Sequence, residues 1–304
     1  AGARLPTECE IMTSASQETI RPRAAVANRH GPRFSWLPKR WYAHLLLILA
    51  CFLSGLPLFY ALLVSTQTNA EVFQYKFTPG TGLLDNWDVV FYERHLHTYM
   101  LNSVVMTLGI TVIKTIFSLL SGLAFVYFRF PGKWIVFGFV LITLMMPTEV
   151  LIIALFRFIN DLEWQNTFLA LIVPFTASAT GTFLFRQHFA SIPAELSEAA
   201  QLDGANPLQF LFRVLVPMSW NTIGALAVVQ TIYAWNMYLW PNMIISDPDM
   251  QTIQTGIGTL RLGGGALRFG PLMLAAVIVS LPPVIVFILL QKQFMSGFTL
   301  TRDK

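Results

Sequence analysis

The chain has 304 residues, 55% of them hydrophobic and only 12% charged, with 20 Lys and Arg against 16 Asp and Glu for a formal net charge of +4. Soluble globular chains carry about a quarter charged residues, so the composition excludes an ordinary soluble domain. A mean hydropathy of +0.58 points to a multi-pass membrane protein.

In chain order, residues 1–40 read as a basic tail, expected to be disordered because "RPRAAVANRHGPRFSWLPKR" is rich in Arg, Pro and small residues. The chain opens on Ala1, and Met12 is the expected natural start, with residues 1–11 an appended segment. Six apolar windows follow: Ala43–Val64, Met100–Phe128, Trp134–Phe158, Phe168–His188, Met218–Ile245 and Pro271–Leu290. Each meets the requirement of about 20 residues for a transmembrane helix. The expected layout is a first span over 41–66, an extracytoplasmic loop over 67–99, a membrane core over 100–292 and a C-terminal tail over 293–304. No small-residue cleavage pattern follows the first window, which therefore reads as a span and not a secretory leader. Cys9 and Cys51 offer neither a disulfide framework nor a metal-ligand spacing.

Basic residues sort unevenly about these windows. With the N-terminus inside, Arg21, Arg23, Arg29, Arg33, Lys39, Arg40, Arg129, Lys133, Arg186, Arg213, Lys292, Arg302 and Lys304 fall on the cytoplasmic side, with Arg4 in the appended segment; Lys76, Arg94, Arg157, Arg261 and Arg268 fall outside. This asymmetry predicts that both termini are cytoplasmic. It also accounts for the positive charge, so no nucleic-acid partner is expected. The outer loops, 67–99 and 246–270, are too polar to cross and are expected to pack together as a small cap. "GGGALRFG" lacks the Lys-Ser/Thr of a phosphate-binding loop and reads as a turn. His95 and His97 read as ordinary loop residues, and no metal site is expected.

Within the spans, Pro147 and Pro174 predict kinks, and "TASATGT" (Thr176–Thr182) predicts close helix packing. Lys114 and Glu149 are ionisable residues at membrane depth, and two readings stand: contact with a charged solute, or pairing for structure alone. Tyr233, Trp235 and Asn236 lie deep enough in the fifth window to stack on or hydrogen-bond a polar solute. Tyr238 and Trp240, nearer its outer end, read as an interfacial belt.

The most informative interruption is residues 190–217. Pro193 suits the first turn of a helix, and Glu195 and Glu198 favour its start. Gly204 is a natural stop, and Asn206 and Pro207 then start a second helix expected to end by Pro217. That second helix, "LQFLFRVLV", is apolar nearly all round, so neighbouring spans, a partner, or both must cover it.

Glu198-Ala199-Ala200, Gly204 and Val214-Leu215-Val216-Pro217 resemble the "EAA" loop of ABC-importer permeases, although that family's pattern has Ile where Val214 stands and Leu where Val216 stands. The flanking "IPAELSEAAQLDGANP" and "YAWNMYLWP" are similar to its carbohydrate-uptake branch. "PGTGLLDN", "FRFPGKW", "ITLMMPTEV", "ASATGTFLFRQ" and "YAWNMYLWPNMII" resemble the subgroup serving importers of sn-glycerol-3-phosphate and glycerophosphodiesters. The resemblance implies an all-α membrane protein with six transmembrane helices, a type I ABC-importer permease fold with cytoplasmic coupling helices, in the bacterial inner membrane. It implies three partners: a second homologous permease, an ATPase dimer and an extracytoplasmic solute-binding protein, with membrane lipid around them. Glu198, Ala199, Ala200, Asp203 and Gly204 would couple to the ATPase, and the C-terminal "LQKQFMSGF" resembles a tail that can reach the same interface. ATP and Mg would be bound by that ATPase, since this chain has no GxxxxGK[ST] sequence and no cofactor is expected in it.

Lys114 would then meet a substrate phosphate and Glu149 a cationic head group; an aromatic surface suits a quaternary ammonium such as that of glycerophosphocholine. Competing readings are a sugar importer of the same branch, a self-sufficient carrier coupled to protons through Glu149, and an intramembrane enzyme. The helix pair argues against the carrier, and the scarcity of buried His and of metal-ligand spacing argues against the enzyme.

Overall fold

The computed structural model describes residues 41–262 and 267–297, and among them every element is helical. The basic tail, the glycines of "GGGALRFG" that precede Ala266, and residues 298–304 lie outside the described residues. The chain divides into two compact units, Ala1–Ser54 and Gly55–Lys304, with the border inside the first helix, α1 (Trp41–Ser65). The described part of the first unit is helix alone, and its Leu45, Leu46, Ile48 and Phe52 are exposed. Such a face is unfavourable in water and suits an apolar surrounding such as acyl chains.

In the second unit, α1 runs through Pro57 to Ser65. Two short helices follow, Asn69–Phe73 and Leu83–Asp88. Thr68 caps the first: its backbone N–H donates to Glu71 at 2.9 Å, a bond that holds the Glu71 carboxyl below its ordinary range. Asn86 Nδ2 donates to the carbonyls of Ser65 (2.9 Å) and Gln67 (3.0 Å), tying this loop to the end of α1. The two outer loops pack together as expected. Asn69 Nδ2 donates to Leu267 O at 3.2 Å, Phe269 N donates back to Asn69 Oδ1 at 2.9 Å, and Phe73 meets Phe269 edge-on at 5.7 Å.

Besides short helical turns at Val89–Glu93, Val173–Phe175 and Pro248–Met250, the remaining elements are α2 (Leu96–Tyr127), α3 (Lys133–Leu144), α4 (Thr148–Asp161), α5 (Phe168–Ile172), α6 (Ala179–Ala190), α7 (Ala194–Leu202), α8 (Pro207–Met218), α9 (Trp220–Trp235), α10 (Leu239–Ile244), α11 (Ile253–Leu262) and α12 (Phe269–Gly297). Their lengths show where the six apolar windows are interrupted. Among the described residues three helices are long and apolar enough to cross a membrane, or up to five if each bent pair is one span. The third window is two helices parted at Met145–Pro147. Pro147, at φ −65° and ψ 131°, is extended backbone where a kink was expected. Its missing N–H and its clash with the preceding residue end the helix outright. The fourth window is bent by 44° between α5, with the short turn holding Pro174, and α6. The fifth is broken too: α9 ends at Trp235 and helix resumes at Leu239.

The long helix α2 is the hub of the second unit, packing on α6 and α9, while α9 packs on α12. Small residues allow the closest approach. A Cβ on Gly122 would stand 2.7 Å from Phe185 Cβ, one on Gly181 would overlap Ser118, and the hydroxyls of Ser121 and Thr182 bond at 2.7 Å. The Gly181–Thr182 end of the Thr176–Thr182 run is thus part of a packing seam facing Ser118 and Ser121, which Gly122 extends against Phe185. Gly122→Ala should destabilise the fold by about 1–3 kcal/mol through overpacking, read as a lower thermal midpoint in detergent; Gly138→Ala, where an added Cβ meets nothing within 4 Å, should leave the midpoint unchanged.

Candidate functional site

At one end of the bundle, α6 stops at Ser191 and the chain turns into the α7–α8 pair. Pro193 sits at the N-cap of α7, one position earlier than the sequence suggested. The corner between the helices is closed by backbone geometry. Gly204 adopts φ +73°, its N–H donates to Gln201 O at 3.0 Å, and Ala205 N–H reaches Ala200 O at 2.9 Å. This paired closure satisfies carbonyls that a helix end would otherwise leave bare, and the positive φ favours glycine. Asn206 and Gln209 then cap α8 reciprocally, at 2.8 and 3.0 Å.

The pair is two-faced. Phe210, Leu211 and Leu215 are buried with Leu119, Leu123, Phe185, Phe189 and Leu226, and Ala200 packs on the same cluster. Tyr127, at the end of α2, meets the Phe210 ring edge-on at 5.1 Å. On the other face Glu198, Ala199, Asp203 and Gly204 are exposed, together with three large apolar residues, Leu202 (89%), Leu208 (54%) and Phe212 (59%). The bundle therefore covers one side of "LQFLFRVLV" and leaves the other bare. α8 does not end at Pro217: helix continues to Met218, and the turn falls at Ser219, where the path bends by 81° into α9. Ser219 Oγ donates to Leu215 O at 2.6 Å and fixes that bend.

Away from the corner, near the far end of α9, a cavity of about 490 Å³ opens between α4, the Phe175 turn and the α9–α10 junction. Leu151, Ile152 and Leu155 form one wall; Tyr233, Asn236 and Tyr238 bring polar groups to the other. Asn236 Nδ2 donates to Ile232 O at 2.8 Å, and its side-chain carbonyl oxygen keeps its capacity to accept. Lys114 does not line the cavity. It is buried, and its Nζ lies 5.2 Å from the centre of the Tyr233 ring. A desolvated cation over an aromatic face gains ~2 kcal/mol; this contact places the charge one ring behind the cavity wall. Glu149 falls in the first turn of α4, and its side chain lies outside the described residues.

Two tryptophans depart from their expected places. Trp235 is grouped by sequence with Tyr233 and Asn236, yet it packs in the core with Leu96, Ile253 and Val279, and its indole N–H donates to Val279 O at 3.1 Å. Successive residues on a helix point about 100° apart, so Tyr233 and Trp235 face different neighbours. Trp240, expected in an interfacial belt, is 1% exposed; its indole N–H donates to Ala170 O at 2.9 Å and its ring meets Phe175 at 5.9 Å.

A polar file escaped the sequence reading. Ser103, Thr107, Thr111, Lys114 and Ser118 recur along α2 at helical spacing and are all buried. The Thr107 and Thr111 hydroxyls have no hydrogen-bond partner among the described residues. The spacing was legible, but single hydroxyls in an apolar window carry little weight until the face they share is known.

A bundle of interrupted spans with a helical corner at one end is the architecture of an ABC importer permease. A solved bacterial ABC transporter involved in import of the acidic polysaccharide alginate has this fold, with a TM-score of 0.74 at 22% identity over 83% of this chain and 95% of that one. A second, the alginate ABC transporter in complex with a pentasaccharide-bound periplasmic protein, superposes with a TM-score of 0.56 at 16% identity over 86% of this chain and 94% of that one. The profile described as "Binding-protein-dependent transport system inner membrane component" matches residues 114–298, and the chain belongs to that family. It is 40% identical over 265 residues, 84% of this chain and 94% of the relative, to the sn-glycerol-3-phosphate transport system permease protein UgpE of Pectobacterium atrosepticum. The UgpE of Salmonella typhi is 38% identical over the same shares. The chain is thus a multi-pass inner-membrane permease subunit of a transport system and not an enzyme.

Removing the indole N–H in Trp240→Phe should cost about 1–3 kcal/mol, because the Ala170 carbonyl is left buried and unpaired. Asn236→Ala, on an exposed cavity residue, should stay within about 0.5 kcal/mol. Thermal unfolding of the two variants in the same detergent checks the contrast.

Proposed function

We propose that this chain is one half of the translocation path of an ATP-driven, binding-protein-dependent importer for glycerol-3-phosphate or a glycerophosphodiester such as glycerophosphocholine. The carrying observation is the α7–α8 corner: capped at both helix ends, welded to the bundle on one face, and bare on the other at Leu202, Leu208 and Phe212 beside Glu198. Apolar groups exposed beside a carboxylate, on an element already rigid, are what a separate protein can grip. In this reading the gripping partner is an ATPase dimer that binds ATP and Mg. Glu198 faces a basic residue there, Ala199 and Ala200 permit close approach, and Asp203 and Gly204 keep the corner shape. Both termini and the corner lie in the cytoplasm, in line with the basic residues.

Closure of the ATPase dimer moves the corner, and the Phe210–Leu215 weld carries that motion into α2, α6 and α9. The cavity at the other end of α9 alternates in access as a result. A second homologous permease completes the path, and an extracytoplasmic binding protein delivers the solute. The names of the UgpE relatives support glycerol-3-phosphate. The chemistry of the cavity wall is compatible with it: the Asn236 carbonyl can accept from a glycerol hydroxyl, the Tyr233 face suits a choline group, and Lys114 behind it supplies a positive potential for phosphate. Glu149 is assigned to a cationic head group on sequence position alone. Trp235 is assigned to holding α9 against α12.

Glu198→Arg should lower uptake of labelled glycerol-3-phosphate by more than about tenfold at equal expression, as loss of a charge pair of ~2 kcal/mol or more implies. ATP hydrolysis by the complex should lose its dependence on solute. Normal uptake would overturn the coupling role. Lys114→Ala should raise the half-saturating solute concentration about tenfold while the complex still assembles; loss of assembly instead would assign Lys114 to structure.

A further inference from the structure

A second polar recess lies on the corner's side of the bundle and takes no part in coupling or in the solute path described above. The turn between α2 and α3 forms an open recess of about 290 Å³ lined by Arg129, Phe130, Gly132, Lys133, Trp134 and Ile135. Its end of the bundle is fixed by Tyr127, two residues earlier, whose ring packs on Phe210 of the corner. No acidic side chain is among the lining residues.

Two cations at the recess are held in place, Lys133 in its lining and Arg186 beside it. Lys133 Nζ donates to Phe128 O at 3.0 Å and Val126 O at 3.4 Å, closing the end of α2; an ammonium has three donors, so one remains for a further oxygen. Arg186 of α6 lies behind the recess, its guanidinium 5.1 Å from the Trp134 ring and 4.3 Å from the Phe137 ring. It adds a third positive charge while orienting the indole. Beyond the cations the surface turns apolar: Trp134 is 69% and Ile135 81% exposed, and Phe139 continues the face along α3.

Positive charge at one level, an indole beside it and a bare apolar face leading away match the order of parts in a phospholipid: phosphate, glycerol ester, acyl chain. A free anion would use the cations but none of the apolar run. Basic pockets between spans at a membrane surface hold anionic head groups by this chemistry. We propose that the Arg129–Ile135 turn binds the phosphate of an anionic phospholipid in the leaflet on the corner's side. The lipid would brace the α2–α3 turn beside the element on which the importer is driven.

The test uses the complete transport complex, stripped of lipid in detergent and analysed by native mass spectrometry after adding back one lipid at a time. Phosphatidylglycerol should be retained in preference to phosphatidylcholine of the same chains. Arg129→Gln, on an exposed turn, should weaken phosphatidylglycerol retention about fivefold with an unchanged thermal midpoint, and Arg129→Lys should keep most of it. Millimolar inorganic phosphate should leave the lipid in place. Equal retention of the two lipids, or full retention by Arg129→Gln, would overturn the site; displacement by inorganic phosphate would overturn its assignment to lipid.

Discussion

The interaction on which the rest depends is the burial of Phe210, Leu211 and Leu215 of α8 among Leu119, Leu123, Phe185, Phe189 and Leu226. Without that weld the corner would be a loop tethered at Ser191 and Ser219, and force applied to it would be absorbed in backbone rotation. With it, α8 joins the surface of α2, α6 and α9 at one stroke. Packed interiors are dense and transmit displacement, so a push on the bare face reaches the bundle as a rigid-body motion. The 81° bend at Ser219 sets the element across the axis of α9, which on the proposed function makes it a lever.

The weld explains why the other features are arranged around α2. That helix meets the corner through Tyr127 and Leu123, the small-residue seam of α6 through Gly122 and Ser118, and α9 through Lys114, which faces the Tyr233 ring. A cation in the middle of such a helix is costly at membrane depth. Here it is paired with an aromatic face that also forms the wall of the cavity. One contact thereby serves stability and, on the proposed function, the potential a phosphate would meet.

The interruptions of the spans follow the same logic. An unbroken helix satisfies its own backbone and has little reason to bend in lipid. The breaks at Pro147, at the turn holding Pro174, at Ser219 and after Trp235 are where α4, α6, α9 and α10 change direction. Those after Pro147 and Trp235 lead to elements that line the cavity, and the turn holding Pro174 lines it directly. Freed backbone groups there are tolerated because neighbouring helices and caps cover them, as Ser178 does by accepting from Gly181 N–H at 3.0 Å.

The amino-acid sequence by itself determined the properties that are local or one-dimensional. Apolar windows, the bias of Lys and Arg, the Pro and Gly punctuation and the Asn206–Gln209 cap are set by neighbours within a few residues, and they made the membrane class and the two-helix corner legible. Tertiary structure decided whatever depends on the direction a side chain faces. Trp235 and Trp240 look like solute or interface aromatics in a linear reading, yet both are buried with their indole N–H groups bonded to Val279 and Ala170. Lys114 acquired Tyr233 as its neighbour from another helix, and the third window became two helices because Pro147 outweighed the apolar run around it. Hydropathy records how much surface a segment must hide; only packing assigns each residue the surface it hides against.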